Sequence, residues 1–88
     1  MRYRIEFSLK AEREFKKLPR PVQVRLKTHI DVLAEEPLPP GAEKLSGEYR
    51  LFRVRVGDYR IIYAIEDEVL LVLVVKVGHR RDVYRGLP

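Results

Sequence analysis

The stretch FRVRVGDYRIIYAI, residues 52–65, decides how this chain folds. Phe52, Val54 and Val56 alternate with Arg53 and Arg55, the period of a strand with one apolar face. Gly57-Asp58 follows, and a two-residue loop with glycine first suits a type II′ hairpin turn. Tyr59, Ile61, Tyr63 and Ile65 then alternate along a return strand and face the core. Such a turn fixes the register: Val56 pairs with Tyr59, Arg55 with Arg60, Val54 with Ile61 and Arg53 with Ile62. Paired side chains share a face, so Arg53, Arg55 and Arg60 stand together away from the core. Arg55 lies directly opposite Arg60, and like charges so placed are destabilising. Two readings stand for that pair. It is a solvated face on which long side chains splay apart, or a place where function overrides a local rule.

Upstream, residues 2–8 alternate, with Tyr3, Ile5 and Phe7 on one side, and read as a half-buried strand. Ser8 is suited to cap a helix through about Leu18, with Leu9, Phe15 and Leu18 near one face. Pro19 ends that helix, and Pro21 fits the first turn of a second. Val22, Leu26, Ile30 and Leu33 make its apolar stripe, which stops near Glu36. Residues 37–41 hold three prolines and a glycine and form a loop. From Tyr49 onward the chain reads as β. Glu66-Asp67-Glu68 turns it again, and residues 69–77 read as a central strand covered on both faces. A short polar end follows Gly78. The order β-α-α-β-β-β predicts an α+β fold, a helical hairpin packed on one face of a small, mainly antiparallel sheet. Residues 1–88 are expected to form a single domain.

The 88 residues carry 18 Lys plus Arg against 13 Asp plus Glu, a net charge of +5. A small basic domain suits an anionic partner. With no cysteine, disulfides, thiolate nucleophiles and Cys-based metal sites are excluded. The longest apolar run, residues 69–75, is far short of the about 20 residues of a membrane helix. The charged, alternating N-terminus is no signal peptide. The expectation is a soluble, cytoplasmic protein with no membrane partner.

The C-terminal end adds His79, Arg80, Arg81, Tyr84 and Arg85 to the neighbourhood of the hairpin arginines. Guanidinium forks match phosphate oxygens, and an exposed tyrosine can stack on a base. No HExxH, DxD or paired-carboxylate motif, glycine elbow or GxxxxGK loop occurs, so neither a metal nor a cofactor is expected. RNA carries its own nucleophile, the 2′-hydroxyl. Cleavage then needs a base, cations for the phosphorane and an acid for the leaving oxygen. Tyr84 can be the base if neighbouring arginines depress its pKa from about 10. His79 has the near-neutral pKa an acid needs, and is equally read as a capping or surface histidine.

The strings FRVRVGDYRIIYAI and VGHRRDVY (77–84), with the opening strand, the helical hairpin and LSGEYR (45–50), resemble the RelE/ParE superfamily of toxin–antitoxin toxins over nearly the whole chain. The set is fairly specific as a combination, though each string alone is weak. The resemblance is to the RelE branch, which cleaves mRNA, typically in the ribosomal A site. The ParE branch instead inhibits DNA gyrase and generally lacks the RelE catalytic residues. By resemblance, Arg53 and Arg55 match basic residues of the second strand. Arg60 matches a transition-state arginine, Arg80 the arginine after the last strand, and Tyr84 the catalytic base. Arg81 and Arg85 join the RNA-binding set. Archetypal members have lysines at positions 53 and 55; arginine gives up a proton far less readily, which turns attention to His79.

The resemblance also implies a RelB-like antitoxin partner, an acidic segment of which wraps the toxin, with mRNA and ribosome as targets and no DNA bound directly. Two other functions stay open: a ParE-like gyrase inhibitor and a non-catalytic RNA- or ribosome-binding domain. His29, Tyr59, Tyr63, Lys16 and Lys17 are assigned to packing or surface.

Overall fold

In the computed structural model, which describes residues 2–45 and 50–82, seven regular elements follow one another. They are β1 (Arg4–Phe7), α1 (Leu9–Lys16), α2 (Arg20–Glu35), β2 (Glu43–Lys44), β3 (Leu51–Val56), β4 (Tyr59–Glu66) and β5 (Leu71–His79), with one 3-10 turn at Asp67–Val69. The sheet order is β1-β5-β4-β3-β2, with β1 parallel to β5 and the other neighbours antiparallel. Both helices pack on one face, as the sequence predicts. The two-residue strand β2 was not foreseen; two residues are too few to show a period.

The helices form for local reasons. Ser8 caps α1, its hydroxyl accepting from the Ala11 N–H at 3.1 Å. Lys16 reaches back to Glu12 at 2.9 Å, a one-turn pair. The C-terminal carbonyls of α1 would otherwise be unsatisfied, and the Gln23 amide of α2 donates to Leu18 O at 2.9 Å and Lys16 O at 3.3 Å. That clasp sets the tight turn between the helices. Leu26, Ile30 and Leu33 of α2 are fully buried, each contributing roughly 1.5–3 kcal/mol of burial.

The inward face of α1 is Ala11, Phe15 and Leu18, spaced by four and three residues, with Ala11 fully buried. Leu9 was expected to share it and instead is 74% exposed. Leu9 and Phe15 are six residues apart, which on a helix places them on different sides.

β5 also departs from expectation. It begins at Leu71, after Leu70 takes a left-handed φ of 51°, and runs through Gly78 to His79 rather than stopping before the glycine. Val72, Val74 and Val77 face the helices and are buried, whereas Leu71, Leu73 and Val75 on the other face are only half-buried. The strand is central, with one face fully covered by the helices and the other partly covered, Lys76 there being 4% exposed.

Both edges of the sheet are short. β1 carries the Arg4–Glu6 ion pair at 2.7 Å, and β2 consists of Glu43 and Lys44. Tyr3, just before β1, donates its hydroxyl to Asp67 at 2.7 Å, and this bond raises its pKa.

Tyr63 anchors the proline-rich loop from inside the core. It is fully buried, and its hydroxyl donates to Pro37 O at 2.6 Å. Burial pushes its pKa up to about 12. The folded state therefore holds the neutral phenol, and stability due to Tyr63 is complete below pH 10 and lost between about pH 10 and pH 12. Tyr63→Phe is expected to cost about 1 kcal/mol at pH 7 in urea unfolding. It should also flatten part of the alkaline loss of stability seen in the wild type.

Candidate functional site

The site is built around the hairpin turn. Gly57 adopts a φ of 62°, open to glycine at little cost, which matches the first position of a II′ turn. The β3–β4 register is the one the sequence dictates: Val56↔Tyr59, Arg55↔Arg60, Val54↔Ile61 and Arg53↔Ile62. Like-charged Arg55 and Arg60 do stand opposite each other. Arg55 is exposed, but Arg60 is only 9% exposed. Across from Arg60 on β5 lies Gly78. The Arg60 Nη1 donates to Tyr59 O at 3.1 Å and Gly57 O at 3.3 Å. No carboxylate pairs with it among the described residues, an unusual state for a nearly buried cation.

Register then separates the remaining candidates. The row Arg55–Arg60–Gly78 lies on the face away from the helices. The next row, Val56–Tyr59–His79, lies on the helix side. His79 meets Tyr59 edge-on, ring centroids 5.7 Å apart at 81°. Its Nδ1 accepts the Arg81 N–H at 3.2 Å, so the neutral ring carries its proton on Nε2. Arg80 is exposed at the end of β5, where its N–H donates to Asp58 O at 2.8 Å and ties the strand end to the turn. Arg60, Arg80 and His79 thus share one end of the sheet, with His79 on the opposite face from Arg60.

Arg53 behaves differently. Its guanidinium forms an ion pair with Glu43 of β2, and its side chain is only 18% exposed. Within the same row, Ile62 is fully buried and Lys76 nearly so. Tyr84 and Arg85 lie outside the described residues.

A residue missed in the sequence joins the turn. Arg25 of α2 brings Nη2 to 2.9 Å from the point a Cβ on Gly57 would occupy. Arg25 flanks the buried stripe of α2, and only the docking of that helix over the hairpin tip reveals it. Among the described residues, Arg25, Arg55, Arg60, Arg80 and Arg81 form no ion pair, while Arg2, Arg4, Lys16, Lys27, Arg53 and Lys76 are paired. Positive charge left unneutralised at one end of the sheet is suited to a phosphodiester. A groove of about 540 Å³ opens at the other end, lined by Arg50, Leu51, Ala64, Glu66, Asp67 and Glu68. Its three carboxylates make it a poor anion site. The described residues contain no cluster of three His, Cys, Asp or Glu able to hold a metal, and no helix long and apolar enough to cross a membrane.

Two helices on one face of a mixed five-stranded sheet is the architecture of the RelE-like toxins. The family described as ParE toxin of type II toxin-antitoxin system, parDE, matches residues 5–84, and the chain belongs to this RelE/ParE superfamily of type II toxins. Toxin RelG of Mycobacterium tuberculosis is 35% identical over 86 residues, 97% of this chain and 99% of that protein. The mRNA interferase toxin RelE of Escherichia coli K12 is 32% identical, over 96% of this chain and 92% of that one. The crystal structure of the toxin–antitoxin complex RelBE2 from Mycobacterium tuberculosis matches with a TM-score of 0.81 at 32% identity, covering 93% of this chain and 95% of that one.

Gly57→Ala is expected to lower stability by about 1–2 kcal/mol, because alanine resists this φ. The crowding against Arg25 adds little, since a flexible guanidinium can move. Urea unfolding of Gly57→Ala in wild-type and Arg25→Ala backgrounds should therefore give nearly the same loss.

Proposed function

We infer that this toxin is a metal-independent endoribonuclease, an mRNA interferase that cuts messages bound in the ribosomal A site and so stops translation in the cytoplasm. The observation that carries this reading is Arg60. Among the described residues it is a nearly buried guanidinium with backbone carbonyls but no carboxylate for partners, and Arg25, Arg55 and Arg80 near the same turn form no ion pair. The likeness to an mRNA interferase at 32% identity supports it.

The chemistry follows from what the RNA lacks. Attack by the 2′-hydroxyl builds negative charge on the phosphorane oxygens, and guanidinium donors fixed beforehand stabilise it. Two backbone carbonyls hold Arg60 Nη1, and the rest of the fork is assigned to the phosphate. Arg80 supplies a second fork from the strand end. Tyr84, by resemblance, takes the 2′-hydroxyl proton. To act as the acid, His79 must first take up a proton as the imidazolium, with the Arg81 N–H released from Nδ1; it then gives its Nε2 proton to the leaving 5′-oxygen and returns to the neutral ring. Because His79 and Arg60 lie on opposite faces, the scissile phosphate sits beyond the end of the β4–β5 pair, where both faces are within reach. Arg55, Arg81 and Arg85 hold flanking phosphates, and Arg25 extends that track onto α2. Arg53, tied to Glu43, contributes field rather than a direct contact. A RelB-like antitoxin is the natural partner, as in the similar RelBE2 complex, and an acidic segment of it would neutralise the same cations.

In vitro translation followed by primer extension tests this reading. Discrete cuts should vanish with Tyr84→Phe and fall about 10²–10³-fold with Arg60→Met. Thermal stability of Arg60→Met should hold or rise slightly, since a like-charge pair is removed. Arg25→Ala should weaken RNA binding and reduce its salt slope by about 1. Uncut messages and normal translation with the wild type would overturn the reading in favour of gyrase inhibition.

A further inference from the structure

The site depends on which face each residue of β5 presents after Val75. There the strand carries a bulge: Tyr63 pairs with Val74 and Ile62 with Lys76, leaving Val75 without a partner on β4. A bulge of one residue inverts the alternation beyond it. It sets Gly78 beside Arg60 and His79 beside Tyr59. At the same place β5 loses its other neighbour, because the pairing with β1 ends at Phe7↔Val74. The most consequential stretch of β5 is thus held by β4 alone among the strands.

Helix α1 and its cap take over that edge. Ser8 N–H donates to Val74 O at 2.9 Å, and Ser8 Oγ donates to Val75 O at 3.3 Å. Two turns on, Glu14 Oε1 accepts the Val77 N–H at 3.2 Å. Its Oε2 accepts from Lys76 Nζ at 2.9 Å, and the Lys76 side chain is only 5% exposed. The backbone is gripped on both sides of the bulged residue, and an ion pair fixes the direction of the side chain between the grips.

We propose that Ser8, Glu14 and Lys76 form a register clamp, and that Glu14 is a positioning residue for the arginine site. It acts through the backbone of β5 and does not touch RNA. The catalytic part of this proposal rests on the ribonuclease reading; the clamp itself does not. A buried pair of charges is weak evidence for stability but well suited to specifying one arrangement.

The test separates the acceptor from the charges. Glu14→Gln with Lys76→Met keeps an oxygen for the Val77 N–H. Glu14→Ala with Lys76→Met removes it. Neither double variant leaves a buried charge unpaired, so both are expected to fold, which circular dichroism checks. Amide exchange by NMR should be near wild type at Val77 and Arg80 in the Gln/Met protein. It should be about tenfold or more faster at both in the Ala/Met protein. In RNA cleavage, the Ala/Met protein should lose about 10- to 100-fold in kcat with KM unchanged, and the Gln/Met protein should retain kcat. Equal exchange at Val77 and Arg80 in the two proteins would overturn the clamp. Faster exchange with unaltered kcat would overturn its link to the site. If the wild type cuts no RNA, the ribonuclease reading falls while the exchange comparison still decides the clamp.

Discussion

Everything at the arginine end follows from the hydrogen-bond register of three strands, β3, β4 and β5. A side chain on a strand has only two directions, and one residue of slip exchanges them. The turn at Gly57-Asp58 sets the first pairing, and the bulge at Val75 sets the second. Together they place Arg60 between Arg55 and Gly78, with its Nη1 turned back to the carbonyls of Gly57 and Tyr59. The same two features send His79 to the helix side against Tyr59. No loop need be ordered to create this arrangement; it is written into the ladder.

The energetics of that end run against stability. A like-charged pair across two strands is unfavourable, and a buried guanidinium without a carboxylate is more so. Elsewhere several cations are paired, along helices at Lys16–Glu12 and Lys27–Asp31 and across strands at Arg53–Glu43. The contrast is physical information. Among the described residues, no carboxylate offsets the cost of holding the Arg60 guanidinium nearly out of water.

Much of the fold could be read from the sequence because it depends on local rules. The hairpin register needed only a two-residue loop and alternating Val and Arg. The stripe of Leu26, Ile30 and Leu33 needed only helical spacing. Leu9 misled because its apolarity was counted without its angle around the helix. The uniform run from Val69 to Val77 concealed both the bulge and the half-open outer face, since an apolar stretch without alternation contains no register information. Arg25 and Glu14 were illegible for a different reason. Each is a charged residue on a helix, ordinary in its own segment, and its role arises where a helix crosses a strand far away in the chain. Tyr84 and Arg85 were singled out on chemistry and resemblance, and they lie outside the described residues.

The two ends of the sheet order have a consequence of their own. β1 has four residues with a charged pair along it, and β2 has only a glutamate and a lysine. Natural sheets use short, charged borders of this kind to discourage strand-to-strand stacking between copies. Among the described residues, the two outer strands therefore offer little ready seam along which copies could zip into fibrils when crowded.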